Sequence, residues 1–467
     1  MRKKMNKKVV AITMNMKQAT FKGGTHLRYN KELTSGLKVM KSTPPQEVVL
    51  PVSMHLGAPS KPIVAVGDRV KMGQKIAEPG GFVSVPTHAT VSGEVIAVEP
   101  RIHTNGQRVM SIVIKNDMQE TLHESILPRK EYKNLTSKEI LQIIQDAGIV
   151  GMGGATFPTH VKLSIPEGKK AEYLILNAAE CEAYLTNDDA LMVRNSDEIV
   201  KGLEIIMHVL GVDRAYIGIE DNKPEAIEKM YESSKHLNIE MYSLKTKYPQ
   251  GSEKHIIKAI AKREVPSGKL PIDVGCVVFN VATVKAIYDA VMHGMPLIER
   301  IVTITGRGVV KPQRMDVKIG THIEHLLQQC DGIRDTEKFI LGGPMMGFAH
   351  YSTDVPVLKG GSGVLLLSEE ETDLAPAKDC IRCAKCVAAC PMGLMPLMLS
   401  NMSIKSDFDK AEQYNAMDCI ECGACAYVCP TKRMLVSNIR VAKKEILAKR
   451  KQQAEKAEAE KAKGGNN

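Results

Sequence analysis

The 467-residue sequence contains no tryptophan, and its 7 Phe and 12 Tyr leave it only 4% aromatic. With so few rings to stack on bases and no recognisable nucleic-acid motif, it does not read as a DNA- or RNA-binding chain. Nor does it hold an apolar run near the roughly 20 residues that a membrane helix needs. The most apolar long window, residues 274–291, carries Asn280, Lys285 and Asp289. A basic start precedes the apolar stretch 9–13, which Asn15 and Lys17 end too early for a signal-peptide core. Secretion and membrane spanning are therefore not expected, and any membrane contact should be peripheral.

What is present is ordinary in bulk. Hydrophobic residues make up 43% and charged residues 25%, which suits folded domains. The length predicts about three of them at roughly 150 residues each. The 25 Met stand in for missing rings, so the cores should rely on aliphatic and thioether packing. The net charge of +10 gathers at the ends, with five bases and no acid in residues 2–8 and eight bases against four acids in 443–463. Such tails suit solvation, anionic lipid or acidic protein surfaces better than a nucleic-acid groove.

Eleven cysteines in an unsecreted chain point to metal or redox chemistry. Eight form two identical runs: Cys380, Cys383, Cys386 and Cys390 before Pro391, and Cys419, Cys422, Cys425 and Cys429 before Pro430. CxxCxxCxxxCP is the spacing of bacterial two-cluster ferredoxins, where the fourth Cys of each run ligates the other cluster. Three thiolates on a tight loop cap three corners of an iron–sulfur cube, and Pro turns the chain away. The reading assigns Cys380, Cys383, Cys386 and Cys429 to one [4Fe-4S] cluster, and Cys419, Cys422, Cys425 and Cys390 to the other. A pair of zinc sites is the alternative, although zinc knuckles pair CxxC units and need no third close Cys. Cys181, Cys276 and Cys330 lack metal spacing, and the last two read as ordinary buried thiols.

Upstream, residues of about 40–100 form short Val- and Ile-rich segments punctuated by turns, which predicts a small all-β unit. It resembles the barrel-sandwich fold of lipoyl and biotinyl carrier domains, but the turn after Ala77 reads EPGG and offers no Lys for a swinging arm. From Thr136 the pattern becomes α/β. Thr136 and Glu139 form a capping box before a helix with Ile140, Leu141, Ile143, Ile144 and Ala147 on its apolar face. A strand at 173–176, a helix at about 197–210, a strand at 215–219 and a helix from Pro224 predict a mostly parallel sheet, whose ligands sit beyond the carboxyl ends of its strands. There the sequence places GMGGATFPTHVK (151–162), a glycine-rich loop able to approach an anion or a ring, and the polar run with Asn177, Glu180, Glu182, Asp188 and Asp189.

In their order, GMGGATFPTHVK, LILNAAECEAYLTNDDALM, YIGIEDNKPEAI, FNVATV and the double cysteine run resemble the C subunits of Rnf complexes, membrane-bound ferredoxin:NAD oxidoreductases that pump ions. The loops are also similar to those of the flavoprotein subunit of respiratory complex I, which holds FMN beside NADH. The resemblance implies non-covalent FMN and an NAD(H) site. Gly151, Gly153, Gly154 and Ala155 would line the flavin through their backbone, with Lys162 reaching the flavin or its phosphate and Asn177 bonding the ring. Glu180 and Glu182 match an acidic pair below the flavin, Glu182 being the candidate catalytic contact to nicotinamide. Glu220 and Asp221 match a second acidic pair, Asn280 and Thr283 a phosphate-side pair, and Phe157 is a stacking or packing candidate. Ala179 stands where the complex I flavoprotein has Asp.

The expected fold is α/β and α+β multidomain: a barrel-sandwich-like unit (1–120), a Rossmann-like FMN/NADH domain (130–290), a β-grasp-like (SLBB-type) module (295–350), a helical two-cluster ferredoxin-like domain (365–440) and a basic tail (441–467), either an exposed helix or disordered. The resemblance implies a peripheral subunit on the cytoplasmic side of the membrane. It would pass electrons between the clusters and NAD(H) through FMN, with the other subunits as partners and ferredoxin reached through one of them. The alternatives are a soluble relative feeding an amino-acid reductase from NADH, a flavin-free ferredoxin-like carrier, and a zinc scaffold.

Overall fold

The computed structural model describes residues 12, 13 and 16–464, so the basic cluster at 2–8 lies outside the described residues. The predicted capping box is formed: the Glu139 amide donates to Thr136 Oγ1 at 3.3 Å, and Glu139 Oε2 accepts the Thr136 amide at 2.7 Å. With both orphan amides satisfied, helix α1 (Ser137–Asp146) starts there and buries Ile140 and Ile144. Helices α2 (Thr159–Leu163), α3 (Asn187–Arg194), α4 (Ser196–Leu210), α5 (Pro224–Ser234), α6 (Glu253–Ala261) and α7 (Val281–Tyr288) follow.

These helices cover a five-stranded sheet of β1 (Lys17–Ala19), β2 (Tyr173–Ala178), β3 (Ala215–Glu220), β4 (Ile239–Leu244) and β5 (Cys276–Asn280), in the order β1-β4-β3-β2-β5, every pair parallel. The central strand β2 shows why its sequence is a continuous apolar run. Leu174 and Leu176 pack into the core beneath α4 and α7, while Ile175 points into the opposite core with Ile256 and Ile260 of α6. Both faces are covered, so no polar alternation appears. The apolar window at 274–291 is accounted for by β5 and α7, which are interior.

The β unit is built from two sheets between residues 47 and 116. One sheet joins Glu47–Pro51, Arg108–Asn116, Gly93–Ile102 and Arg69–Val70, and a second joins Lys61–Pro62, Lys75–Glu78 and Thr87–His88, around fully buried Val48, Leu50, Ile76, Val95, Ile112 and Ile114. A third, mixed sheet orders Phe348–His350, Lys338–Leu341, Gly363–Leu367, Glu299–Thr305, Gln313–Lys318 and Val39–Lys41, with Ile323–Gln328 packed on it. The start of the chain therefore serves three units: 17–19 extends the parallel sheet, 39–41 the mixed sheet, and only then does the barrel sandwich begin. Strands of three residues carry too little period-2 pattern to be read from sequence.

The cysteine runs lie in a helical unit built from Lys385–Ala389, Pro396–Ile404, Phe408–Gln413, Ala424–Tyr427 and the C-terminal helix Leu435–Gly464. Ile439, Ala442 and Ile446 of that helix close a core with Leu399, Met402, Ala411 and Ala416. Its 30 residues give a length of about 45 Å at 1.5 Å per residue. Side chains 447–458 are all exposed, so the tail is helical beyond the part that packing supports.

Candidate cofactor sites

In the parallel sheet, β2, β3 and β4 step in one direction while β5 returns to the other side of β2. The strand order reverses between β2 and β5, and a ligand crevice forms at such a switch point. Asn177 and Asn280 are register partners across it, and the glycine-rich loop lies over the same edge. The Gly151 amide donates to the Phe157 carbonyl at 2.9 Å, closing the loop, and the Met152 amide donates to Thr283 Oγ1 at 2.9 Å, fastening it to α7. Gly153, Gly154 and Ala155 face outward and are exposed.

Two of the glycines differ in what constrains them. A Cβ on Gly153 would stand 3.1 Å from Asn280 Cβ, so a side chain there needs Asn280 to give by a few tenths of an ångström. At Gly154, φ is +142° and nothing lies within 4 Å of an added Cβ; its constraint is conformational. Gly153, Gly154 and Ala155 leave an open stretch of backbone at the crevice.

Asn280 caps α7, its Oδ1 accepting from the Ala282 amide at 2.9 Å, and its Nδ2 donates to Asp188 Oδ2 at 2.7 Å. Burial, with Glu180 nearby, pushes Asp188 up to about 6. Asn177 donates to the Gly251 carbonyl at 2.7 Å and accepts from the Ala179 amide at 3.2 Å, so its side chain braces two turns. Lys162 pairs with Glu253 at 2.5 Å and lies 5.3 Å over the Phe279 ring. Half-buried Phe157 contributes its carbonyl to the loop closure.

The four acids separate into different roles. Glu180 is buried and turned inward: it accepts from the Asp188 amide at 2.8 Å and from Lys223 Nζ at 3.1 Å. Burial opposes its charge, yet Lys223 and Lys31 hold the carboxyl below its ordinary range. Glu182 accepts from the Met346 amide at 2.9 Å and the Met345 amide at 3.1 Å, which binds it to the GGPMMG turn, and burial outweighs those bonds to push it up to about 7. A Cβ on Gly343 of that turn would come within 2.4 Å of the Glu182 carboxylate. Glu220 ends β3 with no exposed surface and no hydrogen-bond partner for either oxygen; burial raises it to about 7 against the pull of Lys223 and Lys31. Exposed Asp221 instead bonds the Thr246 amide and hydroxyl at 3.1 and 2.5 Å.

Two lysines that sequence reasoning missed organise this region. Lys31 Nζ donates to the carbonyls of Glu180 and Glu182, both at 2.8 Å, and of Leu185 at 2.5 Å, so a residue from the start of the chain holds the acidic loop. Lys223, buried, faces Glu180 at 3.1 Å and Asp189 at 4.0 Å. Lys223 was visible in YIGIEDNKPEAI as a cation among acids; nothing local marks Lys31. Cys181 is buried and accepts the Gly251 amide at 3.3 Å, whereas Cys276 and Cys330 are interior thiols that burial pushes up to about 11 and about 12.

The eight remaining cysteines line two cavities. Cys380, Cys383, Cys386 and Cys429 share one with Leu397, Pro430 and Leu435; Cys390, Cys419, Cys422 and Cys425 share the other with Pro391, Leu394 and Ile439. Each run gives three thiols to one cavity and its fourth to the other, a set of sulfurs suited to an iron–sulfur cube.

Comparison with known proteins agrees with these features. The Nuo51 FMN-binding domain family matches residues 144–289, the RnfC barrel sandwich hybrid domain 19–119, and the 4Fe-4S dicluster domain 379–433. The chain is 50% identical over 440 residues to the C subunit of the Na(+)-translocating ferredoxin:NAD(+) oxidoreductase complex of Acetobacterium woodii, covering 94% of this chain and 99% of that one. It is 47% identical to the proton-translocating counterpart of Clostridium ljungdahlii, covering 91% and 94%. Among solved structures, the NAD+-reducing [NiFe]-hydrogenase in the H2-reduced state aligns at a TM-score of 0.48 and 16% identity, covering 68% of this chain and 62% of that one. With an FMN-binding domain, a 4Fe-4S dicluster domain and full-length relatives at this identity, the chain belongs to the family of C subunits of ion-translocating ferredoxin:NAD(+) oxidoreductase complexes.

Proposed function

We propose that the chain is the peripheral subunit, on the cytoplasmic side, of a membrane-bound ion-translocating ferredoxin:NAD oxidoreductase, carrying electrons between two [4Fe-4S] clusters and NAD(H) by way of FMN. The observation that carries this reading is the pairing of a sheet-edge glycine cradle in an FMN-binding domain with two four-cysteine cavities in one chain. Among the described residues no helix is long and apolar enough to cross a membrane, which suits attachment through partner subunits. FMN supplies the junction, because it exchanges a hydride with nicotinamide and single electrons with iron–sulfur clusters.

The chain's own residues bind and orient. The backbone at Gly151, Gly153, Gly154 and Ala155 receives the flavin, Asn280 and Thr283 hold that loop to α7, and Asn177 fixes the turn at the end of β2. Lys162 presents its charge beside the loop, paired with Glu253, and would be the cation available to a flavin phosphate there. Glu182 positions the GGPMMG turn through both carboxylate oxygens, and each oxygen keeps a second lone pair with which it would accept from the nicotinamide amide. Glu182 and Glu220, both raised to about 7, are the acids here able to take up or release a proton near neutrality. The crossed cysteine sets hold the two clusters. The mixed sheet with its single packed helix is read as a β-grasp-like docking module.

The test is flavin released by acid, and iron and sulfide content, in the purified chain, followed by NADH addition under anaerobic conditions. Bleaching of the flavin together with cluster EPR signals is expected. A chain holding iron but no flavin would leave a ferredoxin-like carrier, and zinc in place of iron and sulfide would overturn the reading altogether.

A further inference from the structure

Thr156 stands in the glycine-rich loop with φ +49°, in the left-handed region that a β-branched side chain rarely occupies. The base of the loop is closed from within the α/β domain: the Gly151 amide donates to the Phe157 carbonyl at 2.9 Å and the Thr159 amide to the Ile149 carbonyl at 3.1 Å. Thr156 itself is held from outside that domain. From the barrel sandwich, the Leu56 amide donates to the Thr156 carbonyl at 3.2 Å. From the turn ahead of the Gly363–Leu367 strand of the mixed sheet, Gly360 comes so close that a Cβ on it would overlap the Thr156 methyl group. The φ of Gly360 lies outside the left-handed region, so it is this approach, and not its own backbone, that requires glycine.

The turn that carries Gly360 is firmly seated. Lys359, 2% exposed, donates to the Pro86 carbonyl of the barrel sandwich at 3.1 Å and to the Gly148 carbonyl, just ahead of the glycine-rich loop, at 2.7 Å. Buried Arg300 donates to the Lys359 carbonyl at 2.5 Å. One buried ammonium thus joins the barrel sandwich, the mixed sheet and the α/β domain at the foot of the loop. Further along the same motif, the Phe82 ring of the barrel sandwich meets His160 edge-on, with centroids 6.4 Å apart.

Backbone strain of this kind persists only where the surroundings over-determine it, and it gathers where a ligand is clamped. Without its two holders the loop would relax at Thr156, and a ligand would have to restore the receiving shape as it bound. A loop held in that shape spares the ligand this cost.

We infer that Thr156 is a positioning residue for the flavin, kept strained by Leu56 of the barrel sandwich and Gly360 of the mixed-sheet module, so that the receiving shape of the glycine-rich loop is set by two units outside the FMN-binding domain. This deepens the functional reading above and rests on it. Flavin affinity is thereby coupled to the seating of both units, and by linkage bound flavin tightens their hold on the loop in return.

The test compares the full-length parent with Gly360→Ala, Thr156→Gly and the double variant, by equilibrium binding of FMN to the flavin-stripped chain, read from flavin fluorescence, with iron content as the check on folding. In Gly360→Ala the new methyl group displaces Thr156, and the FMN dissociation constant should rise about tenfold. Glycine at 156 offers no methyl group to strike and takes the same φ without strain, so Thr156→Gly and the double variant should both bind within about threefold of the parent. An unchanged constant in Gly360→Ala would overturn the proposal. So would a double variant as weak as Gly360→Ala, because the damage would then not pass through Thr156. Amide exchange of residues 151–157 in the flavin-free chain should be about tenfold faster in Gly360→Ala than in the parent. If the parent took up no FMN the functional reading would fall, and equal exchange rates would separately show that the loop is not held from outside.

Discussion

Replacing Glu220 by Gln should flatten the dependence of stability on pH between about 5 and 8. The carboxyl is raised from its ordinary 4.5 to about 7 because it has no exposed surface and neither oxygen has a hydrogen-bond partner. Between those two values the folded chain holds a proton that the unfolded chain has released, so stability falls as pH rises through this window, opposite to the usual salt-bridged carboxylate. A displacement of roughly 2.5 units corresponds to about 3 kcal/mol at 1.36 kcal/mol per unit, fully felt by about pH 8. For a unit of this size that is roughly 10 °C of melting temperature. The assay is denaturant unfolding of the flavin-free chain at pH 5 and pH 8, followed by a signal from the α/β domain. The parent should lose about 3 kcal/mol more than Glu220→Gln over that interval. Glu182 and Asp188, raised to about 7 and about 6, add to the parent's slope with the same sign and persist in the variant. Equal slopes in the two proteins would show that Glu220 is solvated or paired when folded, and the reasoning would fail.

Cys429→Ala should remove the cluster held with Cys380, Cys383 and Cys386 while leaving the other at full occupancy by Mössbauer or EPR; loss of the second instead would refute the crossed assignment. Gly153→Val drives a branched side chain against Asn280 and should lower FMN content without lowering iron, whereas Gly154→Ala, which has space but an unfavourable φ, should cost about 1 kcal/mol of stability and lose less flavin; equal flavin in Gly153→Val and parent would move the site elsewhere. Lys31→Met strips the carbonyls of Glu180, Glu182 and Leu185 of their shared cation and should destabilise the α/β domain by roughly 3 kcal/mol, read as an earlier denaturation midpoint; an unshifted midpoint would show that the loop holds itself.

Features that depend on local pattern were legible in the sequence. The cysteine spacing is set by cluster geometry, the Thr136–Glu139 box by two orphan amides, and two of the five strands of the parallel sheet, at 173–176 and 215–219, by largely apolar runs. What escaped were side chains whose role is decided by a distant partner. Glu180 and Glu182 look like a matched pair two residues apart. Yet one turns inward to Lys223 and the start of α3, and the other is captured by amides more than 160 residues away. Glu220 and Asp221 split in the same way, because adjacent residues at a strand end point to opposite sides of the sheet. Charge type was readable in each case; direction was not. The tail divides by the same logic, since helical propensity was visible in its composition but packing by Ile439, Ala442 and Ile446 was not.

The segment around Lys31 also has a consequence for how the protein is made. It leaves the ribosome early, yet the carbonyls it holds come 149 to 154 residues later, and Lys247, which donates to the Phe21 and Gly23 carbonyls, is 226 residues beyond Phe21. At 5–20 residues per second that is a wait of roughly 10 to 50 s. Closing so long a loop is slow compared with helix or hairpin formation. During that interval β1 and Lys31 have been made, but the strand and the acidic loop that they bind have not. Residues 17–31 are therefore made well before they can settle, and until Ile239–Leu244 emerges the backbone groups of β1 are open to pairing with another chain.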